Sequence, residues 1–347
     1  LFLAVAIYAI GYLALARRGP TRDFETLALR STDTPEGRFI GCLLLVESMT
    51  SLVALSQNLG LVWVGVEATT LASTPLIYFH RHHRSLEATW KYLLICSVGI
   101  GLALFGNLCL AVAASVPGVE GSSLLVADLA AQASRFDVQW LQAAFIFLLI
   151  GYGTKMGLAP MHAWLPDAYS EAPSLVAAIL SGSISSIALL ALLRSHQVLI
   201  AAGQGAFGGK LLVVFGLLSM GFGAAFILNQ RDFKRMLAWS SVEHMGILAV
   251  GVGTAGAGAY GAMLHVVNHS LVKGLLFLVG GNLLAAYQTK TVSGVRGALS
   301  VMPVSSVLWV AGFLAITGSP PFGTFLSEFT ILKAMIDQGH PVVAAIF

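Results

Sequence analysis

The chain has 347 residues, of which 57% are hydrophobic and only 10% are charged, and its mean hydropathy is +0.83. Soluble domains carry roughly 25% charged residues, so this composition leaves too little polar surface to cover a core in water. It therefore excludes a globular cytosolic enzyme, a nucleic-acid binder and a disordered linker protein. The formal net charge of +3 is small and indicates no acidic partner. Most of the chain is expected to lie in lipid.

Apolar segments close to the ~20 residues that cross a bilayer recur along the whole chain. In chain order they predict ten membrane spans, at 1–16, 39–57, 59–79, 92–114, 139–158, 174–193, 211–229, 236–254, 260–286 and 301–335. The last segment is interrupted by Gly318-Ser319-Pro320-Pro321, and such a break is tolerated only where protein lines it. The expected fold class is all-α, a polytopic membrane protein of about ten helices. Because the chain begins and ends inside apolar runs, we expect it to be a fragment of a longer protein.

The cations of the predicted loops divide unevenly between the two sides of the membrane. One set of alternate loops holds Arg17, Arg18, Arg22, Arg30, Arg38, Arg81, Arg84, Arg231, Lys234, Arg235, Lys290 and Arg296. The other set holds only Arg135, Arg194, Lys210 and Lys333. Cytoplasmic loops carry an excess of Lys and Arg, so the first set is predicted to be cytoplasmic.

The sequence shows no recognisable site for a cofactor or a metal. Cys42, Cys96 and Cys109 lie in apolar runs without CxxC or Cys/His ligand spacing, which argues against a disulfide framework, an iron–sulfur cluster and a zinc site. The glycines of 251–261 follow a membrane span and not a strand, so they predict no dinucleotide loop. We expect no cofactor, no metal and no redox centre in the chain itself.

Two ionisable residues stand out inside the first half, since a charge at mid-bilayer costs about 2.5–3.5 kcal/mol. Glu67 lies well inside its predicted span. Lys155 is bracketed by glycines within 151–157 and followed by Pro160, which predicts a helix that weakens around the lysine. The alternatives are a glutamate at the membrane interface and a lysine whose side chain reaches the surface from a helix end.

In the second half, His265, His269 and Lys273 follow at intervals of four residues, so they share one helix face over ~12 Å. Histidine gains and loses a proton near neutral pH, and this row favours a proton relay. Two other interpretations stay open, packed core histidines and a metal bound to the HxxxH pair. Val266 stands where an HExxH zinc motif has glutamate, and no Cys or Asp lies nearby in sequence.

The two halves of the chain repeat a common order of features. The fourth helix of each half is interrupted, and a lysine precedes each interruption, Lys91 in the first half and Lys273 in the second. Five helices per half is an odd number, so the second half would be inverted, as in transporters whose site lies near the membrane midplane. The predicted organisation is a single transmembrane domain, 1–347, with inverted repeats at 39–194 and 210–347, the second truncated.

Five segments carry a recognisable pattern, and they read KYLLICSVGIG, GYGTKMGLAPMHAWLPDAYSEAPS, DFKRMLAWSSVEHMGIL, MLHVVNHSLVKGLLFLVGG and GSPPFGTFLSEFTILKA. Together they resemble the antiporter-like membrane subunits of the respiratory complex I superfamily. This superfamily comprises NADH–quinone oxidoreductase subunits L, M and N, Mrp-type Na⁺/H⁺ antiporter subunits and membrane-bound hydrogenase subunits. The phrases TKMGLAPMHAWLPDAYSEAPS and ITGSPPFGTFLSEF are most similar to component F of the hydrogenase-4 and formate hydrogenlyase group.

The resemblance implies a proton relay and assigns residues to it. The matching residues are Glu67, Lys155, His265, His269, Lys273 and Glu328, with Lys91, His244, Ser185 and Ser186 as secondary candidates. Glu67 and Lys155 would form an ion pair at the core of the pump. One departure is that serines at 181–186 stand where the family often has a lysine or histidine. Hydroxyls can bridge water molecules but hold no proton in reserve.

The predicted function is a proton-translocating subunit of a redox-driven complex, either complex I-like or a membrane-bound hydrogenase. Glu67 beside Lys155 would keep the lysine charged, and withdrawal of the carboxylate would let burial favour the neutral amine and release a proton. Expected partners are other membrane and hydrophilic subunits, the bilayer and protons or Na⁺, but no nucleic acid, in the inner membrane of a prokaryote. The alternatives are an Mrp-type Na⁺/H⁺ antiporter subunit without a redox partner and a scaffold bundle of packed polar residues.

Overall fold

The structure, a computed structural model, describes residues 1–16, 35–115 and 123–347. In these ranges the chain forms helices joined by short connections and contains no strand, which confirms the all-α fold class. The predicted cytoplasmic cations Arg17, Arg18, Arg22 and Arg30 lie outside the described residues.

Helices occupy all ten predicted spans. Within the described ranges they are α1 Phe2–Ala16, α2 Pro35–Leu55, α3 Leu59–Ile77, α4 His83–Ala114, α5 Val126–Gln132, α6 Val138–Met156, α7 Leu165–Glu171, α8 Ser174–Ile179, α9 Ser185–Ala201, α10 Gly205–Ile227, α11 Phe233–Thr254, α12 Gly256–Tyr287, α13 Ala298–Val301, α14 Pro303–Ile316, α15 Gly323–Asp337 and α16 Pro341–Ile346. A π-helical turn, Leu180–Ile184, joins α8 to α9. The predicted span 301–335 is two helices, α14 and α15, separated at the expected break.

Seven helical segments of the described chain are long and apolar enough to cross a membrane. They are α2, α3, α4, α8 joined to α9, α10, α11 and α12. The α8–α9 segment lies at the centre, because 83% of its apolar window is buried against 28% for α10. Apolar side chains such as Leu94 and Val98, 58% and 67% exposed in the middle of α4, face outward. Such a surface suits lipid and not water.

Helices α10 and α11 pack against each other through glycine. A Cβ atom built on Gly216 would lie 2.7 Å from the Gly246 carbonyl oxygen and 2.9 Å from the Val250 nitrogen. Only glycine leaves room for backbones this close, and small residues are typical of helix contacts in membranes. By contrast, a Cβ atom on Gly221 of the same helix would meet nothing within 4 Å.

Two cations predicted to lie in loops are buried within helices. Arg194 lies in α9 and donates to the carbonyls of Val53 and Ala54, at 2.5 and 2.8 Å, where α2 ends. Lys234 lies in the first turn of α11, is 2% exposed and donates to the Ala172 carbonyl at 2.5 Å. The loop assignment of both residues is wrong, because α9 extends past its predicted end and α11 begins before its predicted start. Both cations donate hydrogen bonds to carbonyls near the C-terminal ends of other helices, where a positive charge is favourable.

Candidate functional site

Lys155 lies in the last turn of α6, and its side chain is fully buried. The helix ends at Gly157, whose φ of 98° is the left-handed conformation that favours glycine. The ammonium donates to the Thr70 hydroxyl at 2.8 Å and to the Tyr92 hydroxyl at 2.6 Å. The Lys155 ammonium also lies 4.5 Å from the centre of the Tyr92 ring. This lysine is held inside the protein and does not reach the membrane surface.

The hydrogen bonds beyond Lys155 have a direction. The Tyr92 and Ser73 hydroxyl oxygens are 2.6 Å apart, and Ser73 donates to the Thr69 carbonyl at 2.6 Å. A serine hydroxyl has one proton to donate, so Ser73 accepts from Tyr92, and Tyr92 accepts from Lys155. The row Lys155, Tyr92, Ser73 is therefore an ordered set of donors and acceptors between α3, α4 and α6.

Glu67 does not form the predicted ion pair with Lys155. Its Oε1 accepts the Ser97 hydroxyl at 2.9 Å, while its Oε2 is buried without a hydrogen-bond partner. No ion pair within 4.0 Å joins Glu67 to Lys155 in the described part of the chain. The prediction is wrong because Thr70 and Tyr92 hold the ammonium and Ser97 holds the carboxylate. Glu67 and Thr70 are about one turn apart on α3, a rise of ~4.5 Å, so both groups lie in one buried region.

The serines at 181–186 lie in the π-helical turn and the first turn of α9. Their contacts with neighbouring helices are Ser181 to Ser241 of α11 at 3.0 Å, Ser185 to Tyr169 of α7 at 3.0 Å and Ser186 to Ser270 of α12 at 3.2 Å. Hydroxyl pairs thus join the central helix to three others. They stand where the resemblance leads one to expect a lysine or histidine.

Lys273 is fully buried in α12 and bonds to α11. Its ammonium donates to the Leu237 carbonyl at 2.7 Å and to the Ser240 hydroxyl. Ser241 donates to the same Leu237 carbonyl at 3.1 Å and also pairs with Ser181. Polar contacts are therefore continuous from the π-helical turn to the Lys273 ammonium.

Three histidines and a glutamate form a buried group, which we call the histidine cluster: His244, His265, His269 and Glu328. The His244 Nδ1 lies 3.0 Å from the His265 Nε2 and 3.9 Å from the Glu328 Oε1. The His269 ring centre is 5.3 Å from that of His244. All three histidines are at most 3% exposed, whereas the Glu328 side chain is 22% exposed. His244, a secondary candidate from sequence, proves to connect His265 to Glu328.

The polar groups are not one continuous hydrogen-bonded wire. Among the described residues, no hydrogen bond joins Tyr92 to the Tyr169 hydroxyl, or Lys273 to the histidine cluster. The rings of Tyr92 and Trp164 are 5.0 Å apart, and those of Trp164 and Tyr169 are 6.0 Å apart. The Trp164 ring thus lies between the Lys155–Tyr92–Ser73 row and the Tyr169 hydroxyl, which contacts Ser185.

Lys91 lies apart from Lys155, at a polar surface of the bundle. Its side chain is 43% exposed and pairs with Glu87 at 2.7 Å and with Asp167 at 2.8 Å. Asp167 also pairs with Arg235 of α11 at 3.0 Å. Lys91 therefore holds α4 to α7 at the surface, and it is half-exposed where Lys273 is fully buried.

Sequence reasoning missed the hydroxyl groups that surround Lys155. A signal for them exists in α3, where Thr69, Thr70 and Ser73 recur within one turn of an otherwise apolar segment. Serine and threonine are common in membrane helices, however, and their pairing with Lys155 depends on how three helices pack.

The fold and the site define a polytopic α-helical membrane protein with ionisable side chains buried between its helices. The chain belongs to the NADH:quinone oxidoreductase/Mrp antiporter transmembrane family, whose sequence model matches residues 56–347. It is similar to the hydrogenase-4 component F homolog of Methylacidiphilum infernorum, with 40% identity over 297 residues, 85% of this chain and 62% of that protein. The chain thus spans less than two thirds of that relative's length.

Solved structures show the same fold. The chain matches one chain of the respiratory complex I of Thermus thermophilus with a TM-score of 0.80 and 26% identity, over 90% of this chain and 65% of that one. It also matches a chain of the Mrp complex from Dietzia with a TM-score of 0.79 and 23% identity, over 88% of this chain and 56% of that one. The expected resemblance to this superfamily, and to hydrogenase-4 component F within it, is confirmed.

Proposed function

We propose that the full protein is a proton-translocating subunit of a redox-driven membrane complex. The observation that carries this proposal is the set of fully buried lysines and histidines, each bonded to hydroxyl or carbonyl groups of neighbouring helices. Buried ionisable groups in a membrane are costly, and proteins retain them where they move ions. A scaffold bundle would not need Lys155, Lys273 and three histidines in its interior.

The first step takes place at Lys155. While charged, its ammonium is stabilised by the Thr70 and Tyr92 hydroxyls and by the nearby Glu67 carboxylate. If Glu67 is neutralised or withdrawn, burial favours the neutral amine and the lysine releases its proton. The structure has Glu67 bonded to Ser97 and not to Lys155, so we infer that the carboxylate acts on the ammonium without a direct contact.

The second step carries the proton to the other half of the bundle. The serines at 181–186 contact Tyr169 of α7, Ser241 of α11 and Ser270 of α12, and the Ser241 contact leads through the Leu237 carbonyl to Lys273. Since serine stores no proton, we infer that water or hydroxyl rotation completes transfer between the polar groups. From Lys273 the proton passes to the histidine cluster and leaves at the partly exposed Glu328.

Electron transfer is assigned to partner subunits, because the sequence offers no motif for a flavin, a nicotinamide or a cluster. We propose that membrane and hydrophilic subunits assemble around this one in a prokaryotic inner membrane, as the names of its relatives suggest. The two halves, 39–194 and 210–347, are proposed to be inverted repeats. The interruptions at Gly157–Trp164 and Thr317–Phe322 support this, because each follows a membrane helix.

Purification of the full-length protein from its native membrane tests the proposal. We expect hydrogenase or other iron–sulfur subunits to co-purify, and the complex in proteoliposomes to acidify the lumen only when electron donor and acceptor are added. Recovery of Mrp-like membrane subunits alone, with Na⁺ exchange driven by a pH gradient and no redox requirement, would support the antiporter alternative instead. A complex with redox activity and no proton movement would refute the proposal.

A further inference from the structure

The histidine cluster contains three atoms placed as metal ligands. The His244 Nδ1, the His265 Nε2 and a Glu328 carboxylate oxygen all lie within 4.8 Å of one another. Tetrahedral zinc with ligand bonds of 2.0–2.1 Å separates its ligand atoms by about 3.3 Å. The two nitrogens are 3.0 Å apart and the His244–Glu328 distance is 3.9 Å. Small side-chain rotations therefore bring all three atoms onto one ion.

The surrounding hydrogen bonds fix the His265 tautomer in which Nε2 is free to bind a metal. Ser327 donates its hydroxyl proton to the Thr324 carbonyl at 2.8 Å, and its oxygen lies 2.9 Å from the His265 Nδ1. Ser327 must therefore accept from Nδ1, which places the ring proton there and a lone pair on Nε2. That lone pair points to His244.

A second observation at the same place is the state of His269. Both of its ring nitrogens are buried and have no hydrogen-bond partner among the described residues. The His269 ring centre lies 5.3 Å from that of His244 and 6.3 Å from that of His265. Buried imidazoles are normally hydrogen-bonded, so these two nitrogens indicate a group that bonds there. His269 can supply a fourth ligand directly or through a bound water.

We propose that His244, His265 and Glu328 bind a divalent transition metal of the zinc class, with His269 completing the site. Two imidazoles and a carboxylate are ligands that Zn²⁺ accepts, whereas Mg²⁺ and Ca²⁺ prefer oxygen alone. The sequence conceals this site because its carboxylate comes from α15, far from both histidines in the chain. Because the Glu328 side chain is partly exposed, an ion can reach the site past it.

Occupation of this site has a consequence for transport, and this part rests on the proposed function. A metal on His244 Nδ1 and His265 Nε2 occupies the line along which the two rings share a proton. Bound metal therefore blocks the last part of the relay and inhibits proton movement, and a chelator restores it. Zinc thus acts as an inhibitor here and takes no part in the transport cycle.

The test measures binding directly in the full-length protein, purified in detergent with an affinity tag that contains no histidine. Titration with Co²⁺ should give one ion per protein with the visible absorption of a tetrahedral site, displaced by Zn²⁺. His244→Gln and Glu328→Gln should each weaken Co²⁺ binding by at least about tenfold, since even residues that only orient metal ligands change affinity by 10–100-fold. X-ray absorption of wild-type protein with one equivalent of Zn²⁺ should show imidazole and oxygen ligands and no sulfur.

His196→Gln is the matched control, because His196 is also a buried histidine, 5% exposed, and packs on Phe145 away from the cluster. It should bind Co²⁺ as wild type does. No binding by folded wild-type protein, undiminished binding in both ligand variants, or an equal loss in His196→Gln would each overturn the assignment. Proton movement by the metal-free complex decides the proposed function separately. A complex that pumps protons but binds no metal refutes only the metal site.

Discussion

The most informative single change near Lys155 is Tyr92→Phe. It removes only the hydroxyl that accepts from the ammonium at 2.6 Å and keeps the ring over which the ammonium lies. A hydrogen bond to a charged group contributes about 1.5–3 kcal/mol. Because about 1.36 kcal/mol is a factor of ten, the balance between charged and neutral Lys155 shifts toward neutral by roughly 10- to 150-fold. The Tyr92–Ser73 contact is lost in the same step.

We expect Tyr92→Phe to lower the number of protons moved per electron. The assay is dye quenching by a pH-sensitive fluorophore in proteoliposomes that contain the whole complex, with electron transfer measured in the same sample. Tyr152→Phe is the control, because Tyr152 is equally buried on α6 and its hydroxyl makes no bond to Lys155. If Tyr92→Phe retains the wild-type ratio of protons to electrons, the Tyr92 hydroxyl has no part in loading the lysine and our reasoning fails.

Three further predictions concern packing, a helix end and the second buried lysine. Gly216→Val should destabilise the protein by about 1–3 kcal/mol, because the new Cβ meets the α11 backbone, and it should therefore lower the thermal unfolding midpoint in detergent. Gly221→Val should leave the midpoint unchanged. Equal effects of the two substitutions would refute the packing of α10 on α11 through Gly216. Arg194→Met should also destabilise the protein, by about 1.5–3 kcal/mol or more, since two carbonyls at the end of α2 lose a charged donor. An unchanged unfolding midpoint would contradict a stabilising role of Arg194. Lys273→Met should lower proton pumping, whereas Lys333→Met, at a side chain 64% exposed and paired with Asp337, should not; loss in both would indicate a non-specific effect.

The sequence was sufficient to predict the membrane fold and the burial of Lys155, Lys273 and the histidines of α12. A charge in a long apolar segment is rare, so Lys155, Lys273 and the histidines of α12 stand out without any knowledge of their neighbours. Broken helices could also be predicted, because the glycines and prolines at 157–160 and 318–321 are local signals. Such features depend on residues close together in the chain.

Contacts between helices could not be predicted in the same way. The ion pair of Glu67 with Lys155 was expected from the family resemblance, yet Ser97, Thr70 and Tyr92 hold them separately. Hydroxyls compete for buried charges through short hydrogen bonds, and which of them reach the charge depends on how α3, α4 and α6 pack. Their residue types are too common in membrane helices to reveal these contacts.

Cations near helix ends were misassigned for a related reason. Lys234 stands between Arg231 and Arg235 in a segment that reads as a charged loop, but it lies in the first turn of α11 and bonds the Ala172 carbonyl. Arg194 follows a long apolar run and resembles a residue that flanks a membrane span. In both cases the partner is a backbone carbonyl of another helix, which no sequence pattern identifies.

The central claim is that a proton passes through Lys155 when the complex turns over. The ratio of protons moved to electrons transferred, measured in proteoliposomes that contain the complex with Lys155→Ala, tests it most directly. We predict a lower ratio than in wild type, with the Glu67→Ala complex behaving alike. An unchanged ratio in both variants would contradict the claim and assign Lys155 to structure alone.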